Sequence, residues 1–503
     1  MPVVARSLLC LLLVLGVACG DETAPPDNAA TTIAEVDGSG QAATVGTALA
    51  APLRVVVRDA QSDPVAGVDV VWTASLGGGS VSAGVQPTGA DGISSVNFTL
   101  GPLAGQQQVT AAVVGLDGSP VAFTATASPV AAGDIALVKE VPIPPHYGIH
   151  DTFVRDGLAF VFAWDEGVYI FDVGNGMSGG SPSNPVQVSK TVTAVGANSP
   201  SPSVHNGWWF HAPGGEKRYL FVGEEGPGLV GTSSTGDLHV LDVSNLAAPL
   251  EVATYHHPDV DAETVGIHNF WMDEPNQILY AAYYNGGVVS FDVSGTLSGD
   301  LSSRVIDEIR PGGAGNTFVW GVMLGPDGDL YVSDMLSGFW QLGTAGGAMS
   351  PLAGGNNVTD RFGSDLWIHP DGAVAYTGTW GGGSRMTGNQ IKVWSLDGSG
   401  APTLSSSVTV AGVSTVSDVE VSSDGSWMLV TSEYGDGAGL HLYDLANPLA
   451  PVLIDHYPVA SPSGGLHTGT TATIAGRTYV FAARDPAPGG PALMIFDVTD
   501  VIP

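Results

Sequence analysis

Four histidines recur in similar surroundings along the chain. They are His150 in GIHDTF (148–153), His205 in SVHNGWWF (203–210), His268 in GIHNFWMDE (266–274) and His467 in GLHTGT (465–470). Neutral imidazole is the commonest ligand of transition metals, so several histidines converging on one axis would suit copper or zinc. The alternative is structural, with imidazoles at strand starts hydrogen-bonding to a neighbouring sheet. The residues alone leave both interpretations open.

The histidines lie within a repeat whose signature is an apolar strand ending in aspartate. The copies are VYIFDV (168–173), LHVLDV (238–243), VVSFDV (288–293), IKVWSLD (391–397), LHLYDL (440–445) and LMIFDV (493–498), with GFWQLG (338–343) as a copy that lacks the acid. Two strands joined by a turn precede the signature and another strand follows it, which supplies the four strands of a propeller blade. Residues 134–503 divide into seven repeats of about 53 residues, and this predicts a seven-bladed β-propeller.

The last signature, LMIFDV, has almost no chain after it to form an outer strand. The segment IALVKEVPI (135–143), which precedes the first repeat, resembles the outer strands of the other repeats. We expect it to pair with the last repeat, because this pairing closes the ring and removes its open sheet edges.

Counting back from the turn aspartates assigns equivalents of the histidines in the other repeats. Asp365 and Asp418 take this position in the fifth and sixth repeats, and Gly321 takes it in the fourth. Repeats seven, one, two and three are neighbours in a closed ring, so we expect an arc of four imidazoles facing two carboxylates. The candidate ligands of Cu or Zn are therefore His150, His205, His268, His467, Asp365 and Asp418. Calcium is less favoured, because the acids of HHPDVDAET (256–264) lack a full calcium-loop pattern.

The variable loops on the same face of the ring carry aromatic and charged side chains. Binding residues concentrate on loops held by a rigid scaffold, so we expect this face to bind a ligand. The candidate residues are Trp164, Glu224, Glu225, Tyr283, Tyr284, Trp380, Arg385, Tyr434 and Arg484.

The N-terminus has the pattern of an export signal over residues 1–18, with Arg6, an apolar run and small residues before Cys19. It resembles the lipobox of bacterial lipoproteins, which implies a lipid on Cys19 and a tether over residues 19–32. The apolar run is too short to span a membrane comfortably. The only cysteines are Cys10 and Cys19, so the exported body forms no disulfide.

Residues 33–128 alternate strand-like runs with turn signals, which predicts a β-sandwich with Trp72 in its core. The runs PVAGVDVVW (64–72) and TGADGISSVNFTLG (88–101) resemble the bacterial Ig-like domains of invasin and intimin. This resemblance implies a stalk that carries another module.

The signatures FDVGNG, LDVSNLAAP and YDLANPLAP resemble the LVIVD-repeat family of bacterial surface propellers. The resemblance implies a fold over residues 134–503, and no activity. Copper is held by propeller histidines in nitrous oxide reductase and also occurs in selenium-binding-protein and methanethiol-oxidase propellers. The chain resembles these proteins in architecture and inner-strand histidines only. The recurring aspartates are expected to bond backbone or hydroxyl groups at turns.

The balance of 15 Lys and Arg against 49 Asp and Glu gives a formal net charge of −34. This charge disfavours nucleic acid and anionic membrane surfaces as partners, so contact with a membrane is expected through the lipid anchor only. Two functions follow. The first is an exported, lipid-anchored protein of the cell envelope that binds a protein, a glycan or a small ligand. The second is an exported copper or zinc oxidoreductase that uses the histidines.

Overall fold

The computed structural model describes residues 28–44, 48–77, 79–101, 105–128, 133–143, 148–193, 203–225, 235–259, 266–381, 387–396, 401–459, 464–485 and 492–503. The predicted signal peptide, Cys19 and Arg385 lie outside the described residues. The chain divides into two compact units, Met1–Val130 and Ala131–Pro503. Apart from the 3-10 helix Ser302–Arg304, every regular element described is a β-strand. Within the described ranges, no helix is long and apolar enough to cross a membrane.

The first unit consists of β-strands around one apolar core. Its strands are β1 (Ala30–Asp37), β2 (Gln41–Thr44), β3 (Leu53–Asp59), β4 (Asp69–Leu76), β5 (Ser80–Val81), β6 (Val85–Pro87), β7 (Ile93–Val96), β8 (Phe98–Thr99), β9 (Gly105–Ala112) and β10 (Val121–Ser128). The order in one sheet is β1-β3-β7 and in the other β2-β10-β9-β4-β6, while β5 pairs with β8. Trp72 lies in the shared core as predicted, and its indole Nε1 donates a hydrogen bond to Ser94 Oγ at 3.1 Å.

The second unit contains seven sheets in its described residues, named S1 to S7 in chain order. S1 is β12 (Asp151–Arg155), β13 (Leu158–Phe162), β14 (Val168–Asp172) and β15 (Val186–Thr191); S2 is β16 (Val204–Phe210), β17 (Tyr219–Glu224), β18 (Leu238–Asp242) and β19 (Leu250–Tyr255), extended by β23 (Gly299–Asp300); S3 is β20 (Phe270–Asp273), β21 (Ile278–Ala282), β22 (Val288–Asp292) and β24 (Val305–Ile309); S4 is β25 (Val319–Leu324), β26 (Leu330–Asp334), β27 (Gly338–Ala345) and β28 (Ala348–Gly354). S5 is β29 (Phe362–Ile368), β30 (Val374–Trp380), β31 (Gln390–Ser395) and β32 (Thr403–Thr409); S6 is β33 (Thr415–Val421), β34 (Trp427–Glu433), β35 (Gly439–Asp444) and β36 (Val452–Pro458); S7 is β37 (Gly469–Ile474), β38 (Arg477–Ala483), β39 (Leu493–Asp497) and β11 (Ala136–Val141).

The seven sheets form a closed ring, which makes this unit a β-propeller. Their first strands contact one another in the order β12, β16, β20, β25, β29, β33 and β37, and β37 contacts β12. Apolar side chains of adjacent sheets pack between them, as Phe160 of S1 does with Leu220 of S2. The second strands are buried on both faces, which explains their continuous apolar runs.

The ring closes through the strand that the sequence predicted. β11 pairs antiparallel with β39, from Ala136 opposite Asp497 to Val141 opposite Leu493. The recurring aspartates act as expected at turns. Asp172 Oδ1, for example, accepts hydrogen bonds from the backbone N–H groups of Gly174 and Asn175.

Candidate functional site

The four predicted histidines meet inside the ring. The ring centroid of His150 lies 3.5 Å from that of His205 and 4.1 Å from that of His467. The ring centroids of His205 and His268 are 4.3 Å apart. All four side chains are buried, and His205 is 0% exposed. The expected arc of imidazoles is therefore present.

The backbone at the start of the innermost strands fixes the position of each histidine. The N–H groups of His150, His268 and His467 donate to the second strand of their own sheet, with N···O distances of 2.8, 2.9 and 2.8 Å. His205 lies in an irregularity of the β16–β17 pairing between Val204 and Asn206. These backbone bonds fix the main chain at His150, His268 and His467, and the imidazole side chains lie against one another in the arc.

Several imidazole nitrogens in this cluster lack hydrogen-bond partners. Among the residues that the structure describes, both ring nitrogens of His205 and of His268, and Nδ1 of His150, are buried and make no hydrogen bond of standard geometry. The Trp320 backbone and the Asn269 side chain lie close enough to His268 to act on its pKa. Leaving a buried polar atom unpaired costs about 1–3 kcal/mol. The structural interpretation needs hydrogen bonds from these nitrogens, whereas a metal ion would use their lone pairs directly.

Three of the histidines are held in the neutral form that binds metals. Burial, followed by repulsion from neighbouring histidines, lowers the pKa of His150 and of His205 well below the usual value. Burial and His467 do the same to the pKa of His268. A neutral imidazole offers a lone pair, so these three side chains can serve as ligands.

His467 differs from the other three because carboxylates face it. Its Nδ1 lies 3.1 Å from Glu433 Oε2. Burial works against its charged form, but Glu433, Asp485 and Glu225 outweigh burial and raise the pKa of His467 to about 9. His467 is therefore paired with Glu433, and its role as a metal ligand stays a prediction.

Glu225 adds a carboxylate to the histidines. One of its oxygens and one ring nitrogen each of His150 and His205 lie within 4.8 Å of one another. Tyr284 donates its hydroxyl hydrogen to Glu225 Oε1, which orients the carboxylate. Burial raises the pKa of Glu225 to about 7, against the effects of Tyr284 and His467.

Asp365 and Asp418 do not lie at the histidine position, and this part of the sequence alignment was wrong by one residue. Asp418 pairs with Thr431 as Asp151, the residue after His150, pairs with Phe162. Phe162 and Thr431 are equivalent, because each lies four residues after the partner of the recurring aspartate. The same comparison of strand pairing places Trp320, Ser364 and Ser417 beside the histidines.

Turn length explains the error. In S1 the turn between the first two strands has two residues, 156 and 157, whereas in S5 and S6 five residues separate these strands. Counting back from the turn aspartate therefore reaches a different register. Trp320, which the sequence analysis missed, lies against His268 with ring centroids 4.1 Å apart and the two planes inclined by 43°. Strand pairing was needed to find it.

Five of the nine side chains of the predicted ligand face are buried, and three of these, Trp164, Glu225 and Tyr284, lie against the histidine cluster. Trp164 and Tyr284 contact the histidines, with centroids 4.9 Å from His150 and 5.0 Å from His268. Glu224, Glu225 and Tyr283 are also buried, Trp380 and Arg484 are partly buried, and Tyr434 is 37% exposed. The rings and carboxylates of the buried residues turn inward, and ligand binding by this face stays a prediction.

A second group of potential ligands, His257, Asp259 and Glu308, lies away from the axis. Arg310 already pairs with both of its carboxylates, with Nη2 at 2.5 Å from Asp259 Oδ2 and 3.4 Å from Glu308 Oε1. An arginine in this position supplies the positive charge that an ion would bring. Asp261 and Glu263 of the weaker calcium hypothesis lie outside the described residues.

No protein-family model matches the chain, and no curated protein matches its sequence. Among solved structures, a putative 6-phosphogluconolactonase from Bacteroides uniformis is similar at 14% identity and a TM-score of 0.45, covering 69% of this chain and 98% of its own. Chaetomium thermophilum Sqt1, bound to the N-terminus of ribosomal protein L10, is 13% identical with a TM-score of 0.49. The match covers 78% of this chain and 89% of the Sqt1 chain. A protein from Lactobacillus plantarum is 14% identical with a TM-score of 0.44, and the match covers 69% of this chain and 98% of that protein. Likenesses this distant carry no functional argument.

Proposed function

We propose that this chain is an exported, lipid-anchored metalloprotein whose seven-bladed propeller, of the LVIVD-repeat kind, binds copper or zinc in its histidine cluster. An Ig-like domain formed by residues 33–128 carries the propeller. Export and anchoring at Cys19 rest on the signal-like N-terminus. A Cys19→Ser variant tests the anchor, because it is expected to leave the membrane fraction.

The unpaired imidazole nitrogens carry the metal proposal. His205 and His268 each bury two ring nitrogens that make no hydrogen bond of standard geometry with the described residues, and His150 buries one. Native proteins rarely leave buried polar atoms unpaired, so a concentration of them in one place indicates a missing ligand. A metal ion satisfies several of these atoms at once.

The chemistry of the side chains decides which metals fit. His150 and His205 supply borderline imidazole nitrogens and Glu225 supplies a hard oxygen, with His268 beside His205 as a further nitrogen ligand. Imidazole with one carboxylate suits Zn and Cu, whereas calcium and magnesium prefer oxygen ligands alone. Tyr284, which is hydrogen-bonded to Glu225, holds that ligand in place.

The hypothesis of a surface binding protein loses support relative to the metalloprotein. It was based on an exposed loop face, and Trp164, Glu224 and Tyr284 of that face are buried. The hypothesis stays a prediction, since a protein, glycan or small ligand could still contact the exposed Tyr434.

Metal analysis of the purified protein tests the proposal. The protein is incubated with one equivalent of Cu²⁺ or Zn²⁺, passed through a desalting column and analysed by mass spectrometry for metal per chain. We expect about one ion per chain in the wild type and a loss of at least about tenfold in affinity for His205→Ala, because a ligand is removed.

A matched control is available in His369→Ala. His369 is also a buried histidine, but its Nε2 is hydrogen-bonded to the Gly425 carbonyl oxygen at 3.0 Å. This variant should retain the metal. The proposal fails if the wild type leaves the column without metal, or if both variants bind it equally well.

A further inference from the structure

An axial cavity of about 190 Å³ lies in the layer of residues that follows the histidines along the innermost strands. Its polar lining includes Asp151, Asn206, Asn269, Asp365, Asp418 and Glu420. The cavity is continuous with a wider opening of about 970 Å³ on the side of the strand-connecting turns, because Phe153, Trp208 and Trp271 line both. A small molecule can therefore reach it without crossing the histidine cluster.

Acidic side chains are crowded in the cavity without a basic partner among the described residues. Four carboxylates line it, and no Lys, Arg or His does. Asp365 Oδ1 accepts a hydrogen bond of 2.9 Å from Asn269 Nδ2, and Asp418 Oδ2 accepts one of 2.9 Å from the Gly469 N–H. These neutral donors orient the two side chains. Burial, with a further contribution from Asp418, raises the pKa of Asp365 well above its usual value, so the crowded acids retain protons until a cation favours their charged forms. Carboxylates grouped in this way are stabilised by a bound cation.

An unpaired acceptor in the cavity wall points independently to a ligand. Asn206 is 4% exposed, and its Oδ1 has no hydrogen-bond partner within the described part of the chain. A ligand that donates hydrogen bonds would satisfy this oxygen together with the carboxylates.

Aromatic rings form an arc at the entrance to the cavity. The ring centroids of Phe153 and Trp208 are 5.2 Å apart, those of Trp208 and Trp271 are 5.4 Å apart, and those of Trp271 and Trp367 are 6.0 Å apart. Aromatic faces attract organic cations and also cover their methylene groups. An acidic cavity behind an aromatic entrance thus suits a molecule with an ammonium group on a short hydrocarbon chain.

The spacing of the acids argues against a bare metal ion. Among described residues, the sets of three or more acidic or histidine ligand atoms within 4.8 Å of one another involve His150, His205 and Glu225, or His257, Asp259 and Glu308. The cavity carboxylates form no such set. We propose that this axial cavity binds the protonated amino group of a small aliphatic amine, held by Asp365, Asp418 and Asn206.

Calorimetric titration of the full chain with 1,4-diaminobutane at about 0.15 M salt tests this inference, since salt screens attraction to the acidic surface. The neutral analogue 1,4-butanediol is the ligand control and is expected not to bind. We expect Asp365→Asn with Asp418→Asn to weaken diamine binding by about 10- to 100-fold, because charge-assisted hydrogen bonds are lost. Trp271→Leu should weaken it by a smaller factor.

The exposed acid Glu140 provides the matched control, because Glu140→Gln removes one negative charge away from the cavity. It should leave the affinity for the diamine unchanged. The inference is overturned if the diamine does not bind, if the diol binds equally well, or if the Asp365 and Asp418 changes have no more effect than Glu140→Gln.

The amine site does not rest on the proposed metal function, and one variant separates the two. His205→Ala should lose the metal and keep diamine binding. Retained metal with no diamine binding would overturn the cavity inference alone, and diamine binding without metal in the wild type would overturn the proposed function alone.

Discussion

The imidazole rings of His150 and His205 lie with their centroids 3.5 Å apart and their planes inclined by 33°, although they begin the innermost strands of adjacent sheets. Burial lowers the pKa of both rings well below the usual value. Repulsion from His205 lowers the pKa of His150 further, and repulsion from His268 and His467 does the same for His205. The closed ring of sheets creates this contact, because it brings the starts of all innermost strands to one axis.

His268→Phe separates a ligand from a structural histidine. Neither ring nitrogen of His268 makes a hydrogen bond of standard geometry, and the ring lies against Trp320 with the two planes inclined by 43°. An apolar ring of similar shape should therefore leave the melting temperature of the metal-free protein unchanged or higher. The stabilisation by added metal, about 2.7 kcal/mol at 100 times Kd, should be reduced or lost. Differential scanning calorimetry with and without Zn²⁺ measures both effects, and a large loss of stability without metal would favour the structural role.

His239→Leu should destabilise the propeller by about 3–5 kcal/mol. His239 is 1% exposed, with Nε2 at 3.0 Å from Glu224 Oε1 and Nδ1 at 3.2 Å from Glu251 Oε2. Removing it leaves two carboxylates facing each other without a cation. Urea unfolding measures the change. His441→Leu is the control, because His441 is also buried but contacts the neutral Ser432 hydroxyl, and an equal loss would contradict the charge argument.

The same histidine gives the propeller a pH dependence. Burial disfavours its charged form, but Glu224 and Glu251 outweigh burial and raise the pKa of His239 to about 10 from 6.5. A raised pKa means that the folded state binds the proton more tightly. The contribution of His239 to the free energy of unfolding is thus complete below pH 6.5 and is lost as the pH rises towards 10. Wild type and His239→Leu should differ less at pH 10 than at pH 6, and a constant difference would disprove the assignment.

Glu420 should make the protein less stable as the pH rises. Burial, with a further contribution from Asp418 and against hydrogen bonds from Thr471, raises the pKa of Glu420 to about 8 from 4.5. The folded state holds this proton more tightly than the unfolded state, so stability falls between about pH 4.5 and pH 8. Glu420→Gln should flatten the fall in melting temperature over this interval. Glu140→Gln should not, and a slope unchanged by Glu420→Gln would contradict the prediction.

Ring closure by β11 predicts a sharp boundary for truncation. A chain that begins at residue 131 keeps β11 and should unfold cooperatively, because the second unit is compact by itself. A chain that begins at residue 144 lacks the strand that pairs with β39. It should melt at a lower temperature and aggregate through the exposed edge. Circular dichroism melting and light scattering compare the two, and equal behaviour would show that closure contributes little.

The repeats alone were sufficient to predict much of the second unit. The strand signature recurs seven times, which predicted a ring of sheets. The last signature lacks a following outer strand and an additional strand precedes the first repeat, which predicted closure of the ring between β11 and β39. Hydrophobic alternation likewise predicted the β-structure of the first unit and the buried Trp72. These are local patterns. Residues that alternate between a buried and an exposed face of a strand give the sequence a matching alternation of apolar and polar residues.

The sequence by itself determined that the histidines would recur at the starts of strands and that those strands would meet. Only the tertiary structure decided which side chains share a layer. Turns of different length shift the register by one residue, which places Asp365 and Asp418 in the wall of the axial cavity and Trp320 beside His268. It also decided that Trp164 and Tyr284 turn inward against the histidines. The physical reason is that successive residues of a strand point in opposite directions, so one residue of register changes every contact that a side chain makes.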